Sequence, residues 1–574
     1  MNIQKNENKD CIVLGNLIQS GNILENMEVS LEKSALNKHI FVTGVTGTGK
    51  TTTCQKLLLE SKMPFLVIEP AKTEYRILVD KEETKDILIF TLGKDTVAPF
   101  RLNPLEFFPH ESITSRVDML KAAIESSFEM EAAIPQLIES AIYECYKDYG
   151  WDIATNENYK FENPFDKGVY SFPTLEDLIK KTEEEVEKQG FDDKLKKDYI
   201  GSIKARLQGL LIGSKGLMLN VHRGIDFKEL IEKKVVLEIE EIKNGGEKSL
   251  VMGFVLTNLV EALKAKYKEK RDFKHITLIE EAHRLLAKYS PGDSPNKKQG
   301  IETFTDMLAE VRKYGECLVI ADQIPNKLTP EILKNTNTKI VHKIFAEDDK
   351  EAIGNTMSLS NEQKKFLSSL TVGRAVVFSQ GWEKALQVQI KQGTNTTGER
   401  YVEDFELKNR IIDFYRARYK ENIFFGTKFS ENILTAEEFE KIYRYFLDKK
   451  NIKIFEKLFE KEISSFEKVL YVGKFLSDKK IWDTYERIIN KNKEIKEIEY
   501  FINEIKNFKL QYSVEKIIDI LFYKYFENRK RDKDVDIVNE KIIKNIIVLE
   551  KETLENILKE VGIQEINYLK KYLN

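Results

Sequence analysis

The string Gly44-Val45-Thr46-Gly47-Thr48-Gly49-Lys50-Thr51 constrains this chain more than any other feature. It matches G-x-x-x-x-G-K-[ST], between an apolar run at 40–43 and a helix-forming stretch at 51–61. Glycines let the backbone N–H groups turn inward around phosphate oxygens, and the helix N-terminus adds partial positive charge. The spacing predicts a nucleotide site built from Gly44, Thr46, Gly47, Thr48, Gly49, Lys50, Thr51 and Thr52. Lys50 is expected on the β- and γ-phosphates of ATP, and the Thr51 hydroxyl on Mg²⁺. A glycine-rich turn without a ligand is the plainer reading, but such a turn does not require the flanking strand and helix.

A second acidic site must hold the metal and activate water. Ile276-Thr277-Leu278-Ile279-Glu280-Glu281-Ala282-His283 supplies two carboxylates at the C-terminal end of a buried strand, where open α/β sheets place ligands. Glu280 is expected to hold Mg²⁺ through its water shell, and Glu281 to orient and polarise the attacking water. Asp is usual at the first of these positions, so Glu280 extends the reach by one methylene. His283 reads as a packing residue. The run 317–320 ends in Ala321-Asp322-Gln323, where a polar side chain can touch the γ-phosphate.

Short apolar runs recur at 40–43, 65–68, 87–90, 235–239, 276–279, 317–320, 340–344 and 375–378, with helical stretches such as 250–266 between them. This alternation predicts an α/β domain with a mainly parallel sheet, interrupted by a helical insertion at about 110–230. All 12 prolines lie between Pro64 and Pro330, and after Gly398 only Gly426, Gly473 and Gly562 remain. With Thr435-Ala436-Glu437-Glu438 as a capping box, the distal sequence predicts an all-α C-terminal region, 399–574, beyond a polar boundary at 392–398. Residues 1–38 have room for a few strands, at 11–14 and 27–31.

A net charge of −3 excludes a bulk polycation that coats nucleic acid, though not a local basic groove. Cys11, Cys54, Cys145 and Cys317 have no metal or disulfide spacing, and no uncharged run reaches the ~18–20 residues that span a bilayer. The expectation is a cytoplasmic protein without a membrane partner.

The set of strings resembles the HerA branch of the FtsK–HerA superfamily over residues 12–392. It comprises the phosphate loop, Phe65-Leu66-Val67-Ile68-Glu69-Pro70-Ala71-Lys72-Thr73-Glu74-Tyr75-Arg76, the 279–286 run, Arg312-Lys313-Tyr314-Gly315, Asp322-Gln323-Ile324-Pro325 and 335–341. The resemblance implies a RecA-like P-loop NTPase core at 39–393 that hydrolyses ATP in a hexameric homo-oligomer on duplex DNA. It also implies a nuclease or other effector as partner, including effectors of antiphage defence. It makes Arg312 the arginine finger, Gln323 the γ-phosphate sensor, and Glu69 or Glu74 a further catalytic acid. The family's long N-terminal β-barrel is reduced here to a remnant at 1–38, and Lys343 stands where an arginine is expected.

Three functions are compatible with these features. The leading one is a hexameric motor that translocates or unwinds duplex DNA. The second is a nucleotide-dependent scaffold that activates a partner enzyme. The third is a secretion or conjugation ATPase.

Overall fold

A computed structural model describes residues 11–95, 97–130, 133–166, 169–391 and 402–416. The polar boundary at 392–398, the capping box at 435–438 and the region beyond 416 lie outside the described residues. The chain divides into two compact units, one of residues 1–165, 171–219 and 224–411, the other of 166–170, 220–223 and 412–574. The sheet and the phosphate loop lie in the first.

Among the described residues eleven strands form one sheet: β1 (Cys11–Gln19), β2 (Asn22–Glu32), β3 (His39–Thr43), β4 (Phe65–Glu69), β5 (Leu88–Thr91), β6 (Lys234–Glu238), β7 (His275–Glu280), β8 (Glu316–Asp322), β9 (Thr336–Val341), β10 (Arg374–Ser379) and β11 (Leu386–Ile390). Their spatial order is β2-β1-β11-β10-β9-β3-β8-β7-β4-β6-β5. From β9 to β5 every pairing is parallel. Every residue of β3, β4 and β8 is buried, which is why the middle of each strand reads as an unbroken apolar run.

The expected mainly parallel sheet therefore has an antiparallel wing. β9, β10, β11, β1 and β2 pair antiparallel in sequence. Two of these joints are hairpins, which need no crossover helix. The β1–β2 turn is only Ser20-Gly21, both with positive φ (51° and 84°), and its twist suits a two-residue hairpin. β1 and β2 are continuous with the main sheet through β11. The strand expected at 340–344 ends earlier, at Val341, because His342 turns in beneath the phosphate loop.

Helix α1 (Lys50–Ser61) follows β3. Between β5 and β6 lie α2 (Ile113–Ser127), α3 (Ile134–Asp148), α4 (Leu175–Lys188), α5 (Asp193–Leu207), α6 (Gly213–Leu219) and α7 (Phe227–Leu230). Thr174 and Asp177 form a reciprocal capping box that fixes the start of α4. Trp151, 1% exposed, packs with Phe107, Phe165 and Phe172 and donates its indole N–H to Ser171 O at 2.6 Å. The 25-residue α8 (Gly245–Glu269) is buried over most of its length, and α2 packs against both it and α9 (Pro295–Glu310). Arg116 of α2, fully buried, binds Glu261 of α8 at 2.9 Å and the Pro104 carbonyl at 2.9 Å, so its charge is matched inside the core.

Candidate active site

The phosphate loop joins β3 to α1. Gly44, Gly47 and Gly49 all have positive φ (148°, 77° and 111°). At Gly44 a Cβ would lie 2.6 Å from His342 Cβ and 2.9 Å from Thr48 Oγ1, so no other residue fits without movement. His342 is the floor of the loop. Burial lowers its pKa to about 4, leaving a neutral ring. One ring nitrogen lies 2.9 Å from the Thr53 hydroxyl and the other 3.1 Å from Arg374 O, which suits an Nδ1–H donor and an Nε2 acceptor. Val45 N donates to Lys343 O at 2.9 Å and Gly373 N to Thr48 O at 3.0 Å. The loop is thus suspended from the ends of β9 and β10. Lys50 Nζ donates to Gly44 O at 2.7 Å, and the Lys50 pKa is lowered by burial against the opposing charge of Glu280.

The two adjacent acids diverge. Glu280, the last residue of β7, accepts the Tyr75 hydroxyl at 2.6 Å, and burial raises its pKa to about 7 despite Tyr75 and Lys50. Glu281 has left-handed backbone (φ 48°, ψ 44°) and accepts from Arg284 Nε at 2.6 Å. Such a conformation costs a non-glycine residue roughly 1–3 kcal/mol and is concentrated at functional sites. His283, read from sequence as packing, is tied to β8: Asp322 Oδ2 accepts its backbone N–H at 2.9 Å and meets its ring Nδ1 at 2.8 Å. Next to Asp322, Gln323 Oε1 accepts the Thr46 hydroxyl at 3.0 Å.

Glu69 and Glu74 take different places. Glu74 lines the cleft, where it accepts the Thr51 hydroxyl and the Lys72 ammonium, each at 2.5 Å. Glu69 lies beneath, 2% exposed, and accepts Glu74 N at 2.6 Å. Burial first, then the charge of Glu238, push its carboxyl well above the usual range. Thr51, Glu74 and Glu280 offer hard oxygen donors. That set suits Mg²⁺, which takes one or two carboxylates and completes its shell with water and phosphate oxygens.

A cleft of ≈ 560 Å³ opens beside the loop, lined by Thr46, Gly47, Gly49, Lys50, Thr51, Thr52 and Glu74 among others. Arg312 is not brought to it. It is exposed on the 3-10 turn Val311–Tyr314, immediately before β8. The parallel register pairs Thr43 with Asp322, so the loop sits at the far end of β8. Seven residues of strand put about 23 Å between those edges. Sequence reasoning missed His342 and Arg76 as site residues. Arg76 lies within the string quoted above, but nothing in its spacing says that it faces the cleft.

Residues 12–361 match the family model described as helicase HerA, central domain. The chain belongs to this family. It is 24% identical over 382 residues to the DNA double-strand break repair helicase HerA of Sulfurisphaera tokodaii, covering 65% of this chain and 68% of that one. The corresponding helicase of Saccharolobus solfataricus is 24% identical over 374 residues, covering 63% and 65%. Among solved structures, VirB4 of Thermoanaerobacter pseudethanolicus aligns with a TM-score of 0.50 at 18% identity, covering 68% of this chain and 98% of that one. That likeness concerns the fold, a RecA-like α/β ATPase. The HerA-family chain is an ATP-hydrolysing P-loop enzyme. Among the described residues no helix is long and apolar enough to cross a membrane.

Proposed function

We propose that this HerA-family ATPase is a motor that translocates or unwinds duplex DNA as a homo-hexameric ring, fuelled by ATP with Mg²⁺. It serves a nuclease or another effector, as in antiphage defence, and works in the cytoplasm. The observation that supports the reading is the convergence at one sheet edge: Thr46 of the loop meets Gln323 at 3.0 Å, Thr51 meets Glu74 at 2.5 Å, and Glu280 ends the neighbouring β7. The names of the HerA relatives carry the DNA substrate.

In this mechanism the loop N–H groups and Lys50 hold the β- and γ-phosphates. Thr51 and Glu280 hold the metal, with Glu74 beside them. When bound, Mg²⁺ neutralises charge that develops between the β- and γ-phosphates. Glu281 leaves Arg284, orients the attacking water and accepts its proton. Gln323 contacts the γ-phosphate and transmits its loss to Thr46. Arg312, remote from its own cleft, serves the cleft of a neighbouring subunit.

A second reading is a nucleotide-dependent scaffold that activates a partner enzyme without processive movement. The Glu281–Arg284 pair favours it, because a carboxylate engaged by a guanidinium is not free to orient water. DNA-stimulated ATP hydrolysis, with Lys50→Ala as the inactive control, separates the two. A motor is stimulated by duplex DNA, whereas a scaffold responds only to its protein partner. Native mass measurement of the purified complex checks the ring.

A further inference from the structure

Arg76 lines the nucleotide cleft, yet its guanidinium is already engaged. Nε and Nη2 donate to the two carboxylate oxygens of Glu238 at 2.6 and 2.7 Å, a fork-to-fork pair at the end of β6. Nη1 donates to the Val402 carbonyl at 3.3 Å and to Asp404 Oδ1 at 2.9 Å. Asp404 Oδ2 accepts Lys94 at 2.7 Å. Four hydrogen bonds therefore commit Arg76. To bind a phosphate it would have to leave charge-assisted partners, one of which, Glu238, is 3% exposed. What the arginine does is fasten residues 402–404 to the wall of the cleft.

Val402, 2% exposed, lines the same cleft. A triphosphate seated on the loop N–H groups leaves its ribose and base to the remainder of the cavity. The apolar lining there comes from Ile77, Val372, Ile390 and Val402. Ile390 is set beside the loop's neighbour Gly373, whose carbonyl accepts Ile390 N at 2.9 Å. Val372 is 70% exposed, an apolar side chain that a planar base would cover. These four side chains have no polar atoms, so they favour the faces of a base by burial.

We propose that Val372 covers the base of the bound nucleotide in the part of the cleft that Val402 lines, and that the Arg76–Asp404 pair is the positioning device that holds Val402 in that lining. Affinity for the nucleoside half then depends on residues 402–404, while affinity for the phosphates does not. The inference rests on reading the cleft as an ATP site.

The test compares ATP with inorganic tripolyphosphate, by calorimetry on the full chain. Val372→Ala and Asp404→Asn are expected to weaken ATP roughly three- to tenfold, as lost apolar contact implies, and to leave tripolyphosphate unchanged. Arg76→Lys should resemble Asp404→Asn, because a lysine lacks the fork. Should Val372→Ala fail to fold, Asp404→Asn decides. Unchanged ATP affinity in the folded variants overturns the inference. So does an equal loss for both ligands, which would mean that the segment only supports the loop. If the wild type binds tripolyphosphate but gains nothing from the nucleoside, the site reading stands and this inference falls. If it binds neither ligand, both fall.

Discussion

The Thr46 hydroxyl donates to Gln323 Oε1 at 3.0 Å, joining the exposed tip of the phosphate loop to the residue that follows β8. Under the proposed function, a change in the loop on loss of γ-phosphate is felt directly at the end of a central strand. Gln323→Ala should keep ATP binding and lower turnover by roughly 10²-fold, the scale for removing one preorganised donor. Nucleotide titration beside steady-state hydrolysis checks this; an unchanged turnover would remove Gln323 from the machinery.

Glu281→Gln is expected to bind ATP normally and to hydrolyse it about 10²–10⁴-fold more slowly, because an amide does not accept the water's proton. Arg284→Ala probes the same pair from the other side. It frees the Glu281 carboxylate, so basal hydrolysis without DNA should rise. A fall instead would show that Arg284 positions Glu281 productively.

Arg312 lies at the opposite edge of the sheet from its own phosphate loop, so under the proposed function its effect appears between subunits. Arg312→Ala should fold, bind ATP and lose about 10³–10⁵ in turnover, as for a missing finger. Mixed with Glu281→Gln subunits it should regain part of that activity, since each variant supplies what the other lacks. Full activity of Arg312→Ala alone would dismiss both the finger and the shared site.

Glu280 predicts a pH effect on stability. Its folded pKa, about 7, is raised from the ordinary 4.5 chiefly by burial. Between those values the unfolded chain has released a proton that the folded chain keeps. Stability from this group is thus fully present below about 4.5 and is lost as pH rises through about 7. In EDTA, the melting temperature of wild type relative to Glu280→Gln should fall across that window and level off above it. A flat difference would mean that Glu280 is ionised throughout.

Gly44→Ala sets a Cβ 2.6 Å from His342 Cβ, whereas a Cβ at Gly47 meets nothing within 4 Å. Both positions have positive φ, so each substitution costs roughly 1–3 kcal/mol of backbone strain. Only the first adds a collision. Thermal melts should show Gly44→Ala as the more destabilised, with ATP binding lost. Equal melting would place His342 elsewhere.

The parts of the site legible in sequence are those that local order encodes. The phosphate loop, the carboxylates ending β7 and the polar end of β8 each lie within a few residues of the strand that presents them. His342 and Arg76 were not legible. One acts by sitting under a loop that precedes it by about 290 residues, and the other by pairing with Glu238 and Asp404 far along the chain. The antiparallel wing escaped for the same reason. Strand-length periodicity reveals a strand but not its neighbour.

That wing carries a consequence for biosynthesis. Gly15 pairs with Ile390 across β1 and β11, and a Cβ on Gly15 would fall 1.9 Å from Gln389 O. β1 thus waits for β11, the last of the described strands to be made. At about 5–20 residues per second that interval is tens of seconds. Throughout it the β1–β2 hairpin has an unpaired, apolar edge, of the kind that recruits strands from other chains. Nascent chains of this protein should therefore depend on a holding chaperone until residue 390 has emerged.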